Sequence, residues 1–477
     1  MPGPASSPPR TIYLDHAAAT PLRDEVAAAM DEARRTAFAN PSSPHAAGRT
    51  AKRLLEESRE RIVACLGGRL TGPARDRFVF TSGATEANRL AILGRAGGPP
   101  GWCGHSPRDH GSVVAAAAAL AAAGWRVERL TLGPDGGLAG PSPAAPRPAP
   151  ELLCVTSACG QTGTVECMAR IWEWAVAAPG RIVHVDATQA VACGPAAALA
   201  LPAAGVEATL VVAPAKFGGP RGIGGLLARG TMPLDPVVPG PQETGLRGGT
   251  EAVALAVGFA RALELATTER AALAARLEEL RDRLEPLVTA AAAAAGCTAV
   301  VIGRSAGRVP HVTTIAFPGL DREAIVMAAD LEGVCLATGT ACASGSSEPA
   351  PAVAALDLTG GLARAAVRFS LGRDTDATAV DAAVARLAGV LARMVRQAGA
   401  GSPAPCARPW PATPPAAPRW RSRSSCPWTK PSMAILFGTG FAHYTPRAVG
   451  KIGRLAPWAL IVDSARHDSR KRGHLRA

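Results

Sequence analysis

Ala208-Thr-Leu-Val-Val-Ala-Pro-Ala-Lys216-Phe-Gly-Gly-Pro-Arg-Gly-Ile-Gly224 is the stretch that decides how this chain folds. Residues 208–213 read as a short buried strand and residues 217–224 as a tight glycine turn, which leaves Lys216 at a strand end facing the turn. Lys216 and Lys52 are the only lysines in the first 400 residues, although the chain carries 51 Lys+Arg. A guanidinium stays protonated at any useful pH, whereas an ε-amine in a partly desolvated pocket can lose its proton and attack a carbonyl to form a Schiff base. Taken alone, Lys216 reads as an ordinary surface lysine on a loop. Its surroundings argue for chemistry.

Working outward, short apolar runs at 77–81, 127–132, 152–156, 182–185, 208–213 and 223–228 alternate with longer helical patterns such as 84–93 and 113–123. That alternation predicts an α/β layer around a mostly parallel sheet. From about residue 251 to 295 an Ala/Leu/Arg/Glu-rich segment carries apolar residues at helical spacing, with charges on the other face. It reads as a connecting helix into a smaller α+β unit, with strands at 299–302, 313–317 and 365–370 and helices at 322–331 and 376–396. The expected division is a large α/β domain over 12–255, a small α+β domain over 256–400, and a basic tail over 401–477.

The tail is rich in Pro, Arg and Ser and holds half of the eight tryptophans without a periodic pattern, so disorder is its default reading. It contains 13 Lys+Arg against 2 Asp+Glu, so +11 of the chain's net +13 belongs to it and +2 to the rest. The basicity is therefore a property of the tail and not of the main body, and contact of the tail with RNA is a weaker reading than a solvated or spurious extension. Eleven scattered cysteines with no C-x-x-C pair or zinc spacing fit a reducing compartment and no metal site. With no signal-peptide core and no long apolar span, a cytoplasmic protein without membrane contact is expected.

Thirty residues before Lys216, Asp186 closes the candidate strand in Ile182-Val-His-Val-Asp-Ala-Thr-Gln189. Parallel sheets bind ligands beyond the C-terminal ends of their strands. An amine and a carboxylate there suit pyridoxal phosphate: Lys216 for its aldehyde, Asp186 for its ring nitrogen, which must stay protonated for the ring to absorb electrons. A turn-capping aspartate is the plain alternative. Phe78-Val-Phe-Thr-Ser-Gly-Ala-Thr-Glu86 gives strand, small-residue turn and helix start in order, with free N–H groups from Ala84 onward and the Thr85 hydroxyl for a phosphate. His110, in Pro107-Arg-Asp-His-Gly-Ser-Val113, is placed to stack on the ring.

Leu336-Ala-Thr-Gly-Thr-Ala-Cys342-Ala-Ser-Gly-Ser-Ser-Glu-Pro349 surrounds a cysteine with small, flexible residues, as an accessible nucleophile requires, while Cys335 reads as a small hydrophobe. Arg368, in Val-Arg-Phe-Ser-Leu-Gly372, offers a planar fork to a substrate carboxylate, or is a strand-edge cation.

From residue 12 to 396 these motifs, together with Tyr13-Leu-Asp-His-Ala-Ala-Ala-Thr-Pro21, Ala39-Asn-Pro-Ser-Ser-Pro-His45 and Gln242-Glu-Thr-Gly-Leu-Arg-Gly-Gly-Thr250, follow one order. The chain resembles the cysteine desulfurases of iron–sulfur cluster assembly and tRNA thiolation, in the class V aminotransferase superfamily of fold type I pyridoxal phosphate enzymes. The resemblance implies a seven-stranded, mostly parallel sheet with helices on both faces. It implies that Lys216 holds the cofactor, Asp186 pairs its ring nitrogen, Gln189 meets its phenolic oxygen, His110 covers the ring, and Ala84 and Thr85 bind the phosphate. Thr250 would reach that phosphate from the second subunit of a homodimer. Cys342 would take sulfur from L-cysteine as a persulfide, leaving L-alanine, and pass it to an acceptor protein.

Three positions depart from the family pattern: Gly160 stands where an asparagine is usual, and Ala213 and Ala215 where a serine and a histidine help grip the phosphate. These departures keep two alternatives in view, a non-catalytic paralogue acting as a binding subunit and a pyridoxal phosphate lyase on a related substrate such as selenocysteine.

Overall fold

In the computed structural model the described residues are 11–401, apart from 73–74, 134–135, 140–146, 200–201, 203–204, 230–231, 305, 340–347 and 357–360. The chain opens with β1 (Ile12–Tyr13), α1 (Asp24–Thr36) and α2 (Ala46–Cys65). It then alternates through β2 (Arg77–Thr81), α3 (Ala84–Leu93), β3 (Trp102–His105), α4 (Gly111–Ala122), β4 (Arg126–Arg129), β5 (Glu151–Thr156), α5 (Met168–Val176), β6 (Arg181–Asp186), α6 (Ala190–Cys193), β7 (Glu207–Val212) and β8 (Gly224–Ala228).

Strands β2 to β8 form one seven-stranded sheet in the order β2-β8-β7-β6-β5-β3-β4. Neighbours from β7 to β4 are parallel, and β8 runs against both β7 and β2. Alternating side chains on each strand enter different cores: Phe78 and Phe80 go to one face and Val79 to the other, as Leu210 and Val212 do against Val211. One face packs against α1, α2, α5 and the long helix α7 (Val253–Ala294) through residues such as Val26, Ile62, Ile171 and Phe259. The other is covered by α3 and α4 through Leu90, Ala117 and Leu120. Both faces are covered by helices, which is why the strands read as continuous apolar runs rather than as half-polar ones.

Helix α7 extends beyond this sheet. Its first half, to Ala266, joins the large core, and from Leu277 onward it joins a second core. That core is closed by β9 (Val300–Ile302), β10 (Val312–Ala316), α8 (Arg322–Leu331), β11 (Val334–Cys335), β12 (Ala366–Ser370) and the last helix, α10 (Ala377–Gly401), while α9 (Pro351–Ala354) joins a smaller cluster through Val353 with Ile302, Ala316 and Ala366. Strands β12-β10-β9 make an antiparallel sheet. The N-terminal strand β1 pairs in parallel with β11, and Asp15 bridges to Ser370. Residues 12–17 are thereby tied to the second core although they begin the chain.

Two elements of the large sheet differ from the reading of the sequence. Trp102-Cys-Gly-His105 is a central strand between β5 and β4, although the preceding Pro99-Pro100-Gly101 suggests a loop. Trp102 and Cys103 are fully buried, and Gly104 leaves the room that the Trp102 ring occupies: a Cβ there would lie 2.2 Å from that ring. The strand expected over 127–132 covers Arg126–Arg129, where pairing with β3 ends.

Candidate active site

The C-terminal ends of β2, β3, β5, β6 and β7 lie along one edge of the sheet, and the loops leaving them carry the candidate residues. Lys216 leaves β7 by a short turn and is half-buried. Its Nζ donates to the Ala18 carbonyl at 2.5 Å. Asp186 ends β6 and is 4% exposed. Its Oδ2 accepts from Asn88 Nδ2 at 2.9 Å and its Oδ1 from the Thr188 backbone N–H at 3.0 Å. The carboxylate plane is thus held from two sides.

Asn88 was not legible as a site residue, and it joins two that were. Its amide nitrogen also donates to Ser112 Oγ at 2.9 Å, and Ser112 Oγ lies 2.7 Å from His110 Nδ1. His110 caps α4, with Nδ1 accepting from the Ser112 N–H at 3.1 Å, so the neutral ring carries its proton on Nε2. Behind Asn88, His184 Nε2 donates to its Oδ1 at 3.0 Å, and Thr209 Oγ1 lies 2.9 Å from His184 Nδ1. Burial pushes the His184 imidazole down to about 4, in keeping with this neutral donor–acceptor role. A buried chain of hydrogen bonds therefore runs from Thr209 through His184 and Asn88 to Asp186.

The turn after β2 is pinned by its neighbours. Glu86 Oε2 accepts from the Ser82 N–H at 2.6 Å and its Oε1 from Arg247 Nε at 3.1 Å. A Cβ on Gly224 would lie 2.5 Å from the Gly83 carbonyl carbon, so glycine permits β8 to run directly beneath the turn. Ala84 and exposed Thr85 open α3 there. Thr250 is also exposed, at the end of a segment anchored by buried Glu243, which pairs with both Arg59 Nη atoms (2.7 and 2.9 Å) and accepts from the Phe80 N–H. Glu243 and Thr244 hold positive φ, 49° and 56°, a strain that this anchorage sustains.

Gln189 donates from Nε2 to the Ala17 carbonyl at 2.8 Å. Its side chain fills the space beside Gly160, where a Cβ would come within 3.0–3.2 Å of Gln189 Nε2, Cγ and Cδ. Glycine at 160 and this placement of Gln189 are thus two sides of one packing arrangement. Ala213 is buried, and the Ala215 carbonyl accepts from both the N–H and the hydroxyl of Thr20. Arg368 sits on β12, 5% exposed, with Nη1 on the Gly160 carbonyl (2.9 Å) and Nη2 on Asp15 Oδ1 (2.6 Å). Cys342 lies outside the described residues, as does the tail from 402.

Asp109 adds a titrating group beside His110. Its carboxyl accepts from Thr156 Oγ1 (2.8 Å) and the Ser106 N–H (2.7 Å), yet desolvation outweighs both and lifts it to about 7. The unfolded chain releases this proton near pH 4 while the folded one holds it to about 7, so stability falls as pH rises through that window. Asp109→Asn should remove up to about 4 kcal/mol of that loss. Thermal unfolding of both proteins at pH 5 and pH 8 checks this, because the His184 contribution, lost as pH falls from 6.5 towards 4, is common to both. Equal pH slopes would show that Asp109 does not hold its proton.

An amine at the end of β7, a buried carboxylate at the end of β6 and an open helix start beside the β2 turn fit a pyridine aldehyde phosphate. Among the described residues no cluster of His, Cys, Asp or Glu fits a metal ion, and no helix is long and apolar enough to cross a membrane.

Comparison with known proteins places the chain. Residues 12–383 match the family model "Aminotransferase class-V". The chain is 33% identical over 374 residues to "Cysteine desulfurase IscS" of Dictyoglomus turgidum, covering 76% of this chain and 90% of that protein. It is 36% identical over 400 residues to "Cysteine desulfurase" of Cereibacter sphaeroides, covering 82% of this chain and 97% of that one. Among solved structures, a "NIFS-LIKE PROTEIN" superposes with a TM-score of 0.69 at 24% identity, over 80% of this chain and 100% of that one, a likeness of fold. The chain belongs to the class V aminotransferase family and, within it, to the cysteine desulfurases.

Proposed function

We propose that the protein converts L-cysteine to L-alanine with pyridoxal phosphate and transfers the sulfur to Cys342. The observation that carries this reading is the placement of Lys216 and Asp186 at adjoining strand ends, with Asn88 linking Asp186 to Ser112 beside His110. When bound, the cofactor supplies an electron sink for bonds broken at the substrate. Lys216 would hold its aldehyde, Asp186 its ring nitrogen and Gln189 its phenolic oxygen. His110 would cover the ring, Ala84 and Thr85 would bind the phosphate, and Thr250 would reach the phosphate of the other subunit in a homodimer. Arg368 orients the substrate carboxylate. The Cys342 thiolate attacks the substrate sulfur: the C–S bond breaks, an S–S bond forms, and the β-carbon takes a proton to become the methyl group of alanine.

The persulfide then passes to a cytoplasmic acceptor protein, in iron–sulfur assembly or tRNA thiolation. The division at 255/256 remains our reading of where the large cofactor-binding domain ends. At Ala213 and Ala215 each phosphate contact forgone is worth about 1.5–3 kcal/mol, so weakened cofactor affinity is expected.

The test is the visible spectrum of the purified full-length protein with added pyridoxal phosphate, followed by L-cysteine. Bound-cofactor absorbance that responds to cysteine, with one alanine formed per persulfide, is expected. A protein that stays colourless and forms no alanine would favour the non-catalytic paralogue. Faster turnover of selenocysteine than of cysteine would favour the related lyase.

A further inference from the structure

We propose that Asp15 is a specificity-determining residue that competes with the substrate carboxylate for Arg368. The inference rests on the reading of Arg368 as the carboxylate-binding group. A carboxylate meets a guanidinium bidentately across Nη1 and Nη2, or across Nε and Nη2, and both modes use Nη2. In this protein Nη2 already donates to Asp15 Oδ1 at 2.6 Å, Nη1 donates to the Gly160 carbonyl, and buried Nε has no hydrogen-bond partner among the described residues. The Arg368 side chain is 5% exposed and that of Asp15 20%, so Asp15 lies on the more open side of the pair.

The backbone that carries Asp15 is fixed. The Leu14 carbonyl accepts from the Ser370 N–H at 2.8 Å, and the Ala17 N–H donates to Ser370 Oγ at 2.9 Å. The Tyr13 hydroxyl bonds the carbonyls of Asp15 and Ala19. Arg368 and Ser370 are two residues apart on β12 and so share a face, which brings Asp15 against Arg368. Release of Arg368 therefore falls to the side-chain torsions of Asp15 and not to movement of the segment.

The same segment meets other donors of the site: the Ala17 carbonyl accepts from Gln189 and the Ala18 carbonyl from Lys216. Asp15 differs from these carbonyls in carrying a full negative charge. An arriving carboxylate must displace it or share a guanidinium already neutralised. Asp15 thus sets a threshold that a carboxylate-bearing amine must overcome and that an amine without one never meets.

Calorimetric titration of the full-length, cofactor-loaded protein with L-alanine and with ethylamine separates these effects, because the two ligands differ by the carboxylate alone. Asp15→Asn should tighten L-alanine by roughly tenfold, the scale of one charge-assisted hydrogen bond, and leave ethylamine unchanged. Asp15→Ser removes the same charge and is read in the same way, so a folding defect in one variant leaves the question open to the other. Unchanged or weaker L-alanine binding in both would overturn the proposal and make Asp15 a support for Arg368. Arg368→Gln should weaken L-alanine and spare ethylamine. If it spares both, the reading of Arg368 fails, independently of Asp15.

Discussion

Lys216→Ala is expected to lose cysteine turnover by roughly three to six orders of magnitude and to lose the visible absorbance of bound cofactor. The amine can bond covalently to an aldehyde, and its Nζ donates to the Ala18 carbonyl at the edge of the site. Folding should survive, since Lys216 is half-buried on a turn whose backbone is held by Pro214 and by Thr20. Circular dichroism and the melting profile should therefore match those of the parent protein. Lys216→Arg should be equally inactive despite keeping the charge, because guanidinium does not deprotonate in the working range. A variant that still turned over cysteine within about tenfold of the parent would remove Lys216 from the chemistry.

Cys342→Ala should fail at a different stage. Cofactor absorbance and its response to cysteine should persist, while persulfide and alanine formation fall by on the order of a thousandfold or more. Cys342 stands among small residues in Thr338-Gly-Thr-Ala-Cys342-Ala-Ser-Gly-Ser-Ser347, as an accessible nucleophile requires. Four of the described cysteines contrast with it. Burial raises the thiols of Cys65, Cys297 and Cys335, and pushes Cys193 up to about 12 beside His311, so each is poorly placed to supply a thiolate. Persulfide found by peptide mapping at any of these in the variant would reassign the sulfur acceptor.

The contrast between what the sequence revealed and what it hid is one of range. Lys216 and Asp186 could be found because each ends an apolar run, and the ends of parallel strands gather at one edge whatever the remaining packing. β3 was hidden because Trp102-Cys-Gly-His105 follows two prolines, and its strand character comes from neighbours on both sides rather than from its own propensity. The partners that tune the site were hidden for a related reason. Asn88 meets His184, Arg59 meets Glu243 and Asp15 meets Arg368 across long stretches of chain, and no local spacing announces such pairs. Glu243 carried one signal, its place in Gln242-Glu-Thr-Gly-Leu-Arg-Gly-Gly-Thr250, but the motif does not say that its carboxylate faces inward.

Strand β2 is joined to the sheet by β8 alone, so the turn with Ala84 and Thr85 acquires its final support only when residues 224–228 arrive. During synthesis the N-terminal portion emerges first and must wait, its apolar edge uncovered, while β3 to β7 are made. Pairings between such distant segments form late, because the intervening loop must be closed before any contact rewards it. β7, which precedes Lys216, and β2, which precedes the turn, are held in one sheet only through β8, which pairs with both. A nascent chain halted before residue 224 would hold Asp186 and His110 and still lack the five-residue strand that joins β2 and its turn to the sheet.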